Sequence, residues 1–400
     1  MKSSNLPIET QESYIPPKWL WNASIAAILL GIAGTVVGFY IAPADTWLWL
    51  VIGFVSFAGL AHGMLAWAAA FRVAQTRWTA AVNRLGHSAI FFLPFLGVIL
   101  IILLAGVRSY APWTAHPVEG KTEWFNVPFM VSREVILVGV LWALFILLVR
   151  RTLQADEHRN QTGESSKNKQ YGLTALGVAC VMMYTITGTV IAYDFVMSFD
   201  PKWVSTMLGM YYWITGMYAG MAALILMSAL MRTSLHVERF LETQQFHDMG
   251  NLLLAFSLFS MGLFFGQYLT IWYENLPDES QFMILRYNKG VWPWLGWTAF
   301  IIGYAVPFIL LQSRRLKRNP RALIPVAVMV LAGVHLERYV LIAPALSPES
   351  IMLNPVSKLS VFTFAGTMLL AIMMFFKRYP PISSADEELE QLQADSGGGT

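Results

Sequence analysis

Residues 191–216, IAYDFVMSFDPKWVSTMLGMYYWITG, join two strongly apolar segments through one short polar turn. The first apolar segment ends near Asp194, and the second begins near Thr206. Between them, Asp200 and Lys202 interrupt the hydrophobic run, which is typical of a chain that leaves a membrane and returns to it. We therefore expect a corner between two membrane-spanning helices, with carboxylates, a cation and aromatic side chains at one membrane edge.

The composition of the whole chain is that of a membrane protein. Of its 400 residues, 56% are hydrophobic and only 13% are charged. A soluble fold has no means of burying so much apolar surface behind so few charges. The single cysteine, Cys180, excludes an internal disulfide, a thiolate-held iron–sulfur cluster and CxxCH haem attachment. Any electron carrier must therefore belong to a partner or diffuse to the protein.

Apolar runs near 20 residues long predict ten membrane-spanning helices. They lie at 19–42, 47–71, 86–108, 129–150, 172–194, 206–231, 249–273, 291–312, 323–343 and 358–377. Tryptophans near their ends, Trp47, Trp272 and Trp292, suit interfacial anchors. The predicted fold class is an all-α polytopic membrane protein. Spans two to five and six to nine would form two four-helix bundles, with spans one and ten flanking them.

The charges in the loops predict the orientation of the chain. The loops on the side of the two termini carry most of the 27 lysines and arginines. The positive-inside rule then places both termini in the cytoplasm and the corner outside, in the periplasm of a bacterial inner membrane. The predicted organisation is a cytoplasmic N-terminal segment (1–18), a transmembrane domain (19–377) and a disordered acidic tail (378–400). We also expect a flexible polar connector at 151–171.

Charged side chains within the spans are the first candidates for function, because a charge inside a bilayer is costly. Arg133 and Glu134 lie near the outer end of the fourth span, and Asp194 ends the fifth. Glu337 and Arg338 lie within the outer half of the ninth span. One interpretation is that the two arginines neutralise the carboxylates and fix helix packing. The other is a site for proton transfer or ligand binding.

Four more polar residues accompany these charges. Gln267 and Glu274 are two helical turns apart near the outer end of the seventh span, so we expect them on one face. His335 shares the ninth span with the Glu337–Arg338 pair. His62 lies deep in the second span, where it must satisfy both ring nitrogens, and is a candidate stepping stone for protons from the cytoplasm.

The histidines do not suit a transmembrane haem, and no metal site is predicted. Haem b needs two histidines at the same depth, and His62 lies about twice as deep as His335. On the sixth span, Tyr211, Thr215 and Tyr218 follow helical spacing and share one face. Such a stripe fits either helix packing or the lining of a quinone pocket.

Four segments carry a resemblance to a known family. They are YDFVMSFDPKWVSTMLGMYYW, FNVPFMVSRE, QYLTIWYENLPDE and HLERYVLIAPAL. They resemble the F subunit of bacterial alternative complex III, a quinol:cytochrome c oxidoreductase. The large membrane subunits of that complex are similar to the NrfD-like membrane subunit of polysulfide reductase. The resemblance covers nearly all of residues 19–377.

The resemblance implies a subunit of the bacterial inner membrane that has no redox centre of its own and is not an autonomous enzyme. Its implied partners are the lipid bilayer, a second NrfD-like membrane subunit, a multihaem c-type cytochrome and an iron–sulfur protein. Haem and iron–sulfur clusters would lie only in those partners, and menaquinol or ubiquinol would be the electron donor. No nucleic acid is implied. Asp194, Arg133 and Glu274 match the family segments and are the residues carried over as site candidates.

The sequence leaves several functions open. The outer carboxylates would handle the protons of quinol oxidation, with Asp194 or Glu274 as base and Arg133 or Arg338 holding it ionised. Alternatively, the subunit conducts protons without binding quinone, or serves purely as a scaffold for the complex. A secondary transporter is a further class, but we find neither an inverted repeat nor paired broken helices.

Overall fold

The computed structural model describes residues 16–76, 79–162, 167–235, 238, 241–351 and 354–381. Within these residues the chain forms helices and turns but no β-strand. Ten helices are long and apolar enough to cross a membrane, which confirms the predicted fold class. Most of the predicted N-terminal segment and of the acidic tail, at 1–15 and 382–400, lies outside the described residues.

The ten spans are numbered in chain order. Their helices are Lys18–Ile41, Pro43–Val73, Ala80–His87 with Leu93–Ala105, Val127–Thr162, Lys167–Phe195, Met207–Met231, Thr243–Glu274, Pro293–Phe300 with Val306–Leu310, Pro320–Leu346, and Pro355–Lys358 with Ser360–Arg378. A 3₁₀ turn, Ser88–Phe92, joins the two parts of the third span, and a π-helical turn, Ile301–Ala305, those of the eighth. Shorter helices in the loops are Val107–Tyr110, Pro112–Thr114, Met197–Phe199, Pro277–Tyr287 and Arg314–Lys317.

The ninth and tenth spans begin with the same N-cap arrangement. An asparagine precedes a proline, and its side-chain oxygen accepts hydrogen bonds from the first backbone N–H groups of the helix. The first bonds are 3.0 Å long, from Arg321 N to Asn319 and from Val356 N to Asn354. A proline in the first turn costs no hydrogen bond there, so the Asn-Pro pair defines where each helix starts.

The expectation of a flexible connector at 151–171 is wrong for most of that segment. The fourth span continues as a helix to Thr162, and the fifth begins at Lys167. Residues 163–166 lie outside the described part of the chain. The apolar stretch indicates only the part of a helix that lies in the lipid. Good helix formers such as Gln154 and Glu157 allow the helix to extend beyond the membrane.

The spans pack as two groups around a central helix pair. Spans two to five contact one another, as do spans six to nine, in agreement with the two expected bundles. The second and sixth spans join the groups and are the most buried, at 83% and 78% of their apolar windows. The first span packs along the tenth, which also contacts the second and third. A polar residue on span two or six is therefore inside the protein and away from lipid.

Glycines allow spans two and six to approach closely. A methyl group on Gly63 would lie 2.1 Å from the carbonyl oxygen of Gly216, and one on Gly220 would lie 2.6 Å from the carbonyl carbon of Gly63. No side chain fits between backbones at that separation. In membranes such close contacts supply the packing that holds helices together.

We call the end of the bundle that carries residues 196–206 the corner face. The loop residues 106–126, 275–292 and 347–351 lie at the same end, because the ten spans alternate in direction. Trp272 is 67% exposed there, as an interfacial anchor should be. Trp292 is not such an anchor, because it is fully buried and donates its indole N–H to the carbonyl of Ser347 at 2.9 Å.

We expect Gly63→Ala to lower the stability of the protein, because the added methyl group overlaps the backbone of span six. Overpacking of this kind typically costs about 1–3 kcal/mol. The matched control is Gly139→Ala in the fourth span, where an added methyl group meets no atom within 4 Å. Thermal unfolding in detergent, followed by size-exclusion chromatography, measures the difference. Equal unfolding temperatures for the two variants would contradict the close crossing of spans two and six.

Candidate functional site

Arg133 and Asp194 form a buried ion pair at the corner face. Arg133 Nε lies 2.6 Å from Asp194 Oδ2 and Nη2 lies 2.5 Å from Oδ1, so the guanidinium binds both carboxylate oxygens. Arg133 is 8% exposed and Asp194 only 1%. The remaining Nη1 donates to the carbonyl of Trp124 at 2.9 Å, and the Trp124 ring centroid is 4.0 Å from Cζ. A buried ion pair in which arginine binds both carboxylate oxygens is a strong and directional interaction.

Glu134 is a second carboxyl group beside this pair. It is fully buried, its carboxyl adjoins that of Asp194, and neither of its oxygens accepts a hydrogen bond from a donor in the described part of the chain. The Tyr110 hydroxyl is also buried without a partner among those residues. Burial raises the pKa of Tyr110, and the nearby carboxylates of Glu134 and Asp194 raise it further. Two carboxyls thus share one guanidinium, an arrangement that favours binding of a proton.

A second buried group is centred on Glu337. Tyr211 donates its hydroxyl to Glu337 Oε1, and Tyr304 donates to Oε2 at 2.8 Å. Arg338 Nη1 lies 3.5 Å from the same Oε2. Spans six, eight and nine each contribute to this group, and all four side chains are less than 9% exposed.

The π-helical turn of the eighth span places Tyr304 against Glu337. The turn contains Gly303, which crosses the ninth span at Gly333 with the backbones in contact. Tyr218 donates its hydroxyl to the carbonyl of Gly303 at 2.9 Å and stacks on Tyr304. A π turn widens the helix and redirects the residues after it, and such turns occur often at functional sites.

Arg338 joins the ninth span to the sixth. Its Nη2 donates to the Thr215 hydroxyl and lies 3.4 Å from the carbonyl of Tyr212. Tyr212 donates to the carbonyl of Val55 at 2.9 Å, and its ring centroid lies 4.8 Å from Arg338 Cζ. Its ring therefore belongs to the surroundings of Arg338. The stripe of Tyr211, Thr215 and Tyr218 belongs to this polar network as well as to helix packing.

A small cleft, with a free volume of about 30 Å³, opens beside the Glu337 group at the corner face. It is lined by Trp203, Met207, Leu208, Tyr211, Leu263, Phe264, Gln267, Phe282, Met283, Tyr287 and Leu341. Its polar side chains are few, with the Tyr211 hydroxyl and the Gln267 amide among apolar walls. The Gln267 amide oxygen accepts from the Ser205 hydroxyl, which in turn accepts from Leu208 N at 3.1 Å.

Aromatic stacking closes one side of the cleft. Trp203 from the corner lies flat on Phe282 of the short helix Pro277–Tyr287, with centroids 3.6 Å apart and planes at 7°. Trp203 is 2% exposed, so it belongs to the cleft wall and not to an exposed aromatic belt. The corner at 196–206 is therefore part of the cleft wall.

The remaining predicted residues lie outside the two charged groups. Glu274 is exposed at the end of the seventh span, while Gln267 on the same helix faces the cleft. His335 Nδ1 lies 3.0 Å from the Ser56 hydroxyl of the second span. His62 Nε2 accepts from the indole N–H of Trp142 at 2.8 Å, so a neutral His62 carries its proton on Nδ1.

Among the described residues, no group of three or more His, Cys, Asp or Glu side chains lies close enough to hold a metal ion.

Residues 42–347 match the protein family described as "Polysulphide reductase, NrfD". The chain belongs to the NrfD family. Among curated proteins, no sequence matches it.

The NrfD match coincides with the two bundles. It begins one residue before the second span and ends one residue after the ninth, leaving spans one and ten outside. Both charged groups and the whole cleft lie within the NrfD region. The protein is thus a multi-pass membrane subunit of this family, and its polar interior belongs to the part that defines the family.

Sequence reasoning missed three residues of this NrfD-family site. Tyr212 and Tyr304 sit in apolar spans with no charge beside them, so no local signal distinguished them. Arg286 lies between two predicted spans, a position that gives no reason to expect burial, yet it is fully buried in the short helix Pro277–Tyr287. Pro277 followed by apolar residues at helical spacing was the signal for that helix.

We expect the Arg133–Asp194 pair to stabilise this NrfD domain only as a pair. Asp194→Leu or Arg133→Met alone leaves an unpaired buried charge, which typically costs about 3–5 kcal/mol. The double variant replaces both charges with apolar side chains and should recover most of the loss. Thermal unfolding in detergent measures all four proteins, with Glu134→Gln as an uncharged control beside the pair. A double variant no more stable than the single variants would show that the two side chains are not coupled.

Proposed function

We propose that the protein is the F-type membrane subunit of an alternative complex III, a quinol:cytochrome c oxidoreductase, and that its cleft binds quinol. The observation that carries this proposal is the bond between Tyr211 and Glu337. Tyr211 lines the cleft and donates to a carboxylate buried behind it. A cleft with a proton acceptor at its inner end suits a ligand that gives up protons on oxidation.

The lining of the cleft has the chemistry that a quinol head group needs. Its free volume is only about 30 Å³, so a quinol ring would enter as the apolar side chains around it move apart. Met207, Leu263 and Phe264 offer apolar contacts to a ring, and Tyr211 and Gln267 offer hydrogen bonds to ring oxygens. A quinol, when bound, supplies two electrons and two protons.

The residues behind the cleft would take up the protons. A proton released at the Tyr211 hydroxyl passes to Glu337, which Tyr304 and Arg338 hold in place. Arg338 Nη1, 3.5 Å from Glu337 Oε2, places a positive charge beside this carboxyl group. The other charged group, with Glu134 and Asp194, would then offer a route to the corner face.

We place the protein in the bacterial inner membrane with both termini in the cytoplasm and the corner face in the periplasm, from the positive-inside rule. Its partners would be a second NrfD-like subunit, a multihaem c-type cytochrome and an iron–sulfur protein. Protons from the cleft would then leave on the periplasmic side, near Asp194 and Glu134. The described residues of this chain would bind and move protons, while the partners carry the electrons.

A second candidate is a proton conduit without quinol. Two hydrogen-bonded histidines favour it, because both contacts involve the second span at successive depths. His335 meets Ser56 near the middle of the second span, and the His62–Trp142 bond lies further toward the termini. Such a series of polar groups would connect the cytoplasmic side to the charged groups.

We expect Tyr211→Phe to lower quinol oxidation by the purified complex by about 10²-fold, the size typical of a lost proton-transfer group. Tyr218→Phe is the matched control, since Tyr218 lies two turns away on the same face and does not line the cleft. Quinol-dependent cytochrome c reduction and proton release measure the effect. Equal activities for the two variants would remove Tyr211 from the reaction.

Photolabelling with an azidoquinone separates the two candidates. Labels on the peptides of Met207 and Met283 would support quinol binding in the cleft. Labels confined to the companion NrfD-like subunit would favour the conduit.

If Asp194→Asn leaves both quinol oxidation and proton release unchanged, Asp194 has no part in either.

We expect partner subunits to copurify with the tagged full-length chain from native membranes. Gentle detergent extraction followed by mass spectrometry should identify a multihaem c-type cytochrome and an iron–sulfur protein, and haem staining should reveal the first. Extraction at high salt is the control, because it removes loosely bound chains. A chain that purifies alone under gentle conditions would contradict the assignment to an oxidoreductase complex.

A further inference from the structure

Arg286 is a fully buried cation outside the spans. It lies in the last turn of the short helix Pro277–Tyr287 at the corner face and is 0% exposed. Burial lowers the pKa of Arg286 to about 10, with Asp200 and Tyr287 opposing the shift, so the side chain stays protonated at neutral pH. A buried cation persists only where the surrounding groups satisfy it.

Backbone carbonyls satisfy Arg286. Its Nε donates to Val340 O at 3.1 Å and Nη2 donates to Leu341 O at 2.8 Å, both in the ninth span. Nη1 donates to Phe282 O at 2.9 Å in its own helix, and the Asp200 carboxylate lies 3.9 Å away. The guanidinium thus ties the short helix to the ninth span and approaches the corner loop.

A proline explains why one of these carbonyls, that of Val340, is available. Pro344 lies inside the ninth span and has no N–H, so the carbonyl four residues earlier, that of Val340, has no donor within the helix. Arg286 Nε occupies that position. The proline and the arginine are therefore complementary, although they lie far apart in sequence.

The helix that Arg286 anchors forms one wall of the cleft. Phe282, Met283 and Tyr287 face the cleft from it. The Arg286 guanidinium also lies over the Phe282 ring, with Cζ 3.5 Å from the centroid, and Phe282 stacks in turn on Trp203. Displacement of Arg286 would therefore move the wall and break the aromatic stack.

We propose that Arg286 is a positioning residue for the cleft, holding its wall in place by binding the carbonyl that Pro344 leaves free. The quinol part of the test rests on the proposed function, whereas the anchoring of the wall does not. Lysine is a poor substitute here, because an ammonium group cannot reach three carbonyls in the planar geometry of a guanidinium.

Cysteine labelling in the purified complex tests the anchoring. Cys180 is fully buried, so an introduced cysteine is the reporter. Met283→Cys reports on the cleft wall, and Met227→Cys is the matched control on the sixth span, away from the cleft. The native side chains are 7% and 9% exposed. We expect Arg286→Gln to raise the maleimide labelling rate at position 283 at least tenfold and to leave position 227 unchanged.

The other outcomes overturn the proposal. An unchanged rate at position 283 would mean that Arg286 does not hold the wall. An equal rise at both positions would mean that it acts on general stability. Pro344→Ala gives Val340 O a donor within the helix and should raise the rate at position 283 severalfold. No rise there would overturn the role of the proline.

Kinetics then separate the anchoring from the quinol assignment. In variants without reporter cysteines, Arg286→Gln should raise KM for quinol about tenfold with kcat changed less than twofold, and Arg286→Lys should fall between. A rise in labelling with KM unchanged would leave the anchoring intact and show that the cleft does not bind quinol. A fall in kcat alone would overturn the positioning role.

Discussion

The structure depends on the need to pair every charge that enters the bundle. Within the membrane no water is present to solvate an ion, so an arginine or carboxylate there requires a partner on a neighbouring span. Arg133 on the fourth span meets Asp194 on the fifth, and Arg338 on the ninth meets Thr215 on the sixth. Each contact joins two helices within one bundle, the first in spans two to five and the second in spans six to nine. Close packing at glycines brings spans two and six together, but the charges determine which helix faces meet around them.

The spans were predictable from sequence because their length reflects the thickness of a bilayer. All ten appear in the structure, and the corner between Asp194 and Met207 lies where the polar interruption places it. The presence of buried ion pairs was predictable for the same reason, since the charges stand in apolar segments. The choice of partner was not. Asp194, Glu134 and Glu337 were equally available to Arg133, because the pairing depends on how each helix is rotated against its neighbours.

Features that arise from contacts distant in sequence escaped prediction. The cleft has walls from spans six and seven, the corner and the short helix, so no single stretch of sequence contains it. The π turn that directs Tyr304 toward Glu337 has no sequence signature beyond a glycine. Gln267 and Glu274 share a helix end, yet Gln267 faces the cleft and Glu274 does not, because the seventh span ends beyond the packed part of the bundle. Helical spacing shows that two residues share one face of a helix. It predicts that both are buried only where another helix packs along that whole face.

The numbers of buried acids and bases argue that the network does more than hold helices together. Within the two charged groups, three carboxyls, those of Glu134, Asp194 and Glu337, face only two guanidiniums. Electrical balance therefore calls for one bound proton. Asp194 and Glu337 accept from strong donors, and a protonated Glu134 can donate to the neighbouring Asp194 carboxylate. Without that proton, the buried Glu134 carboxylate would lack a donor among the described residues, at a cost of about 1–3 kcal/mol or more. Under the proposed function, Glu134 is consequently the group that would hold this proton and release it.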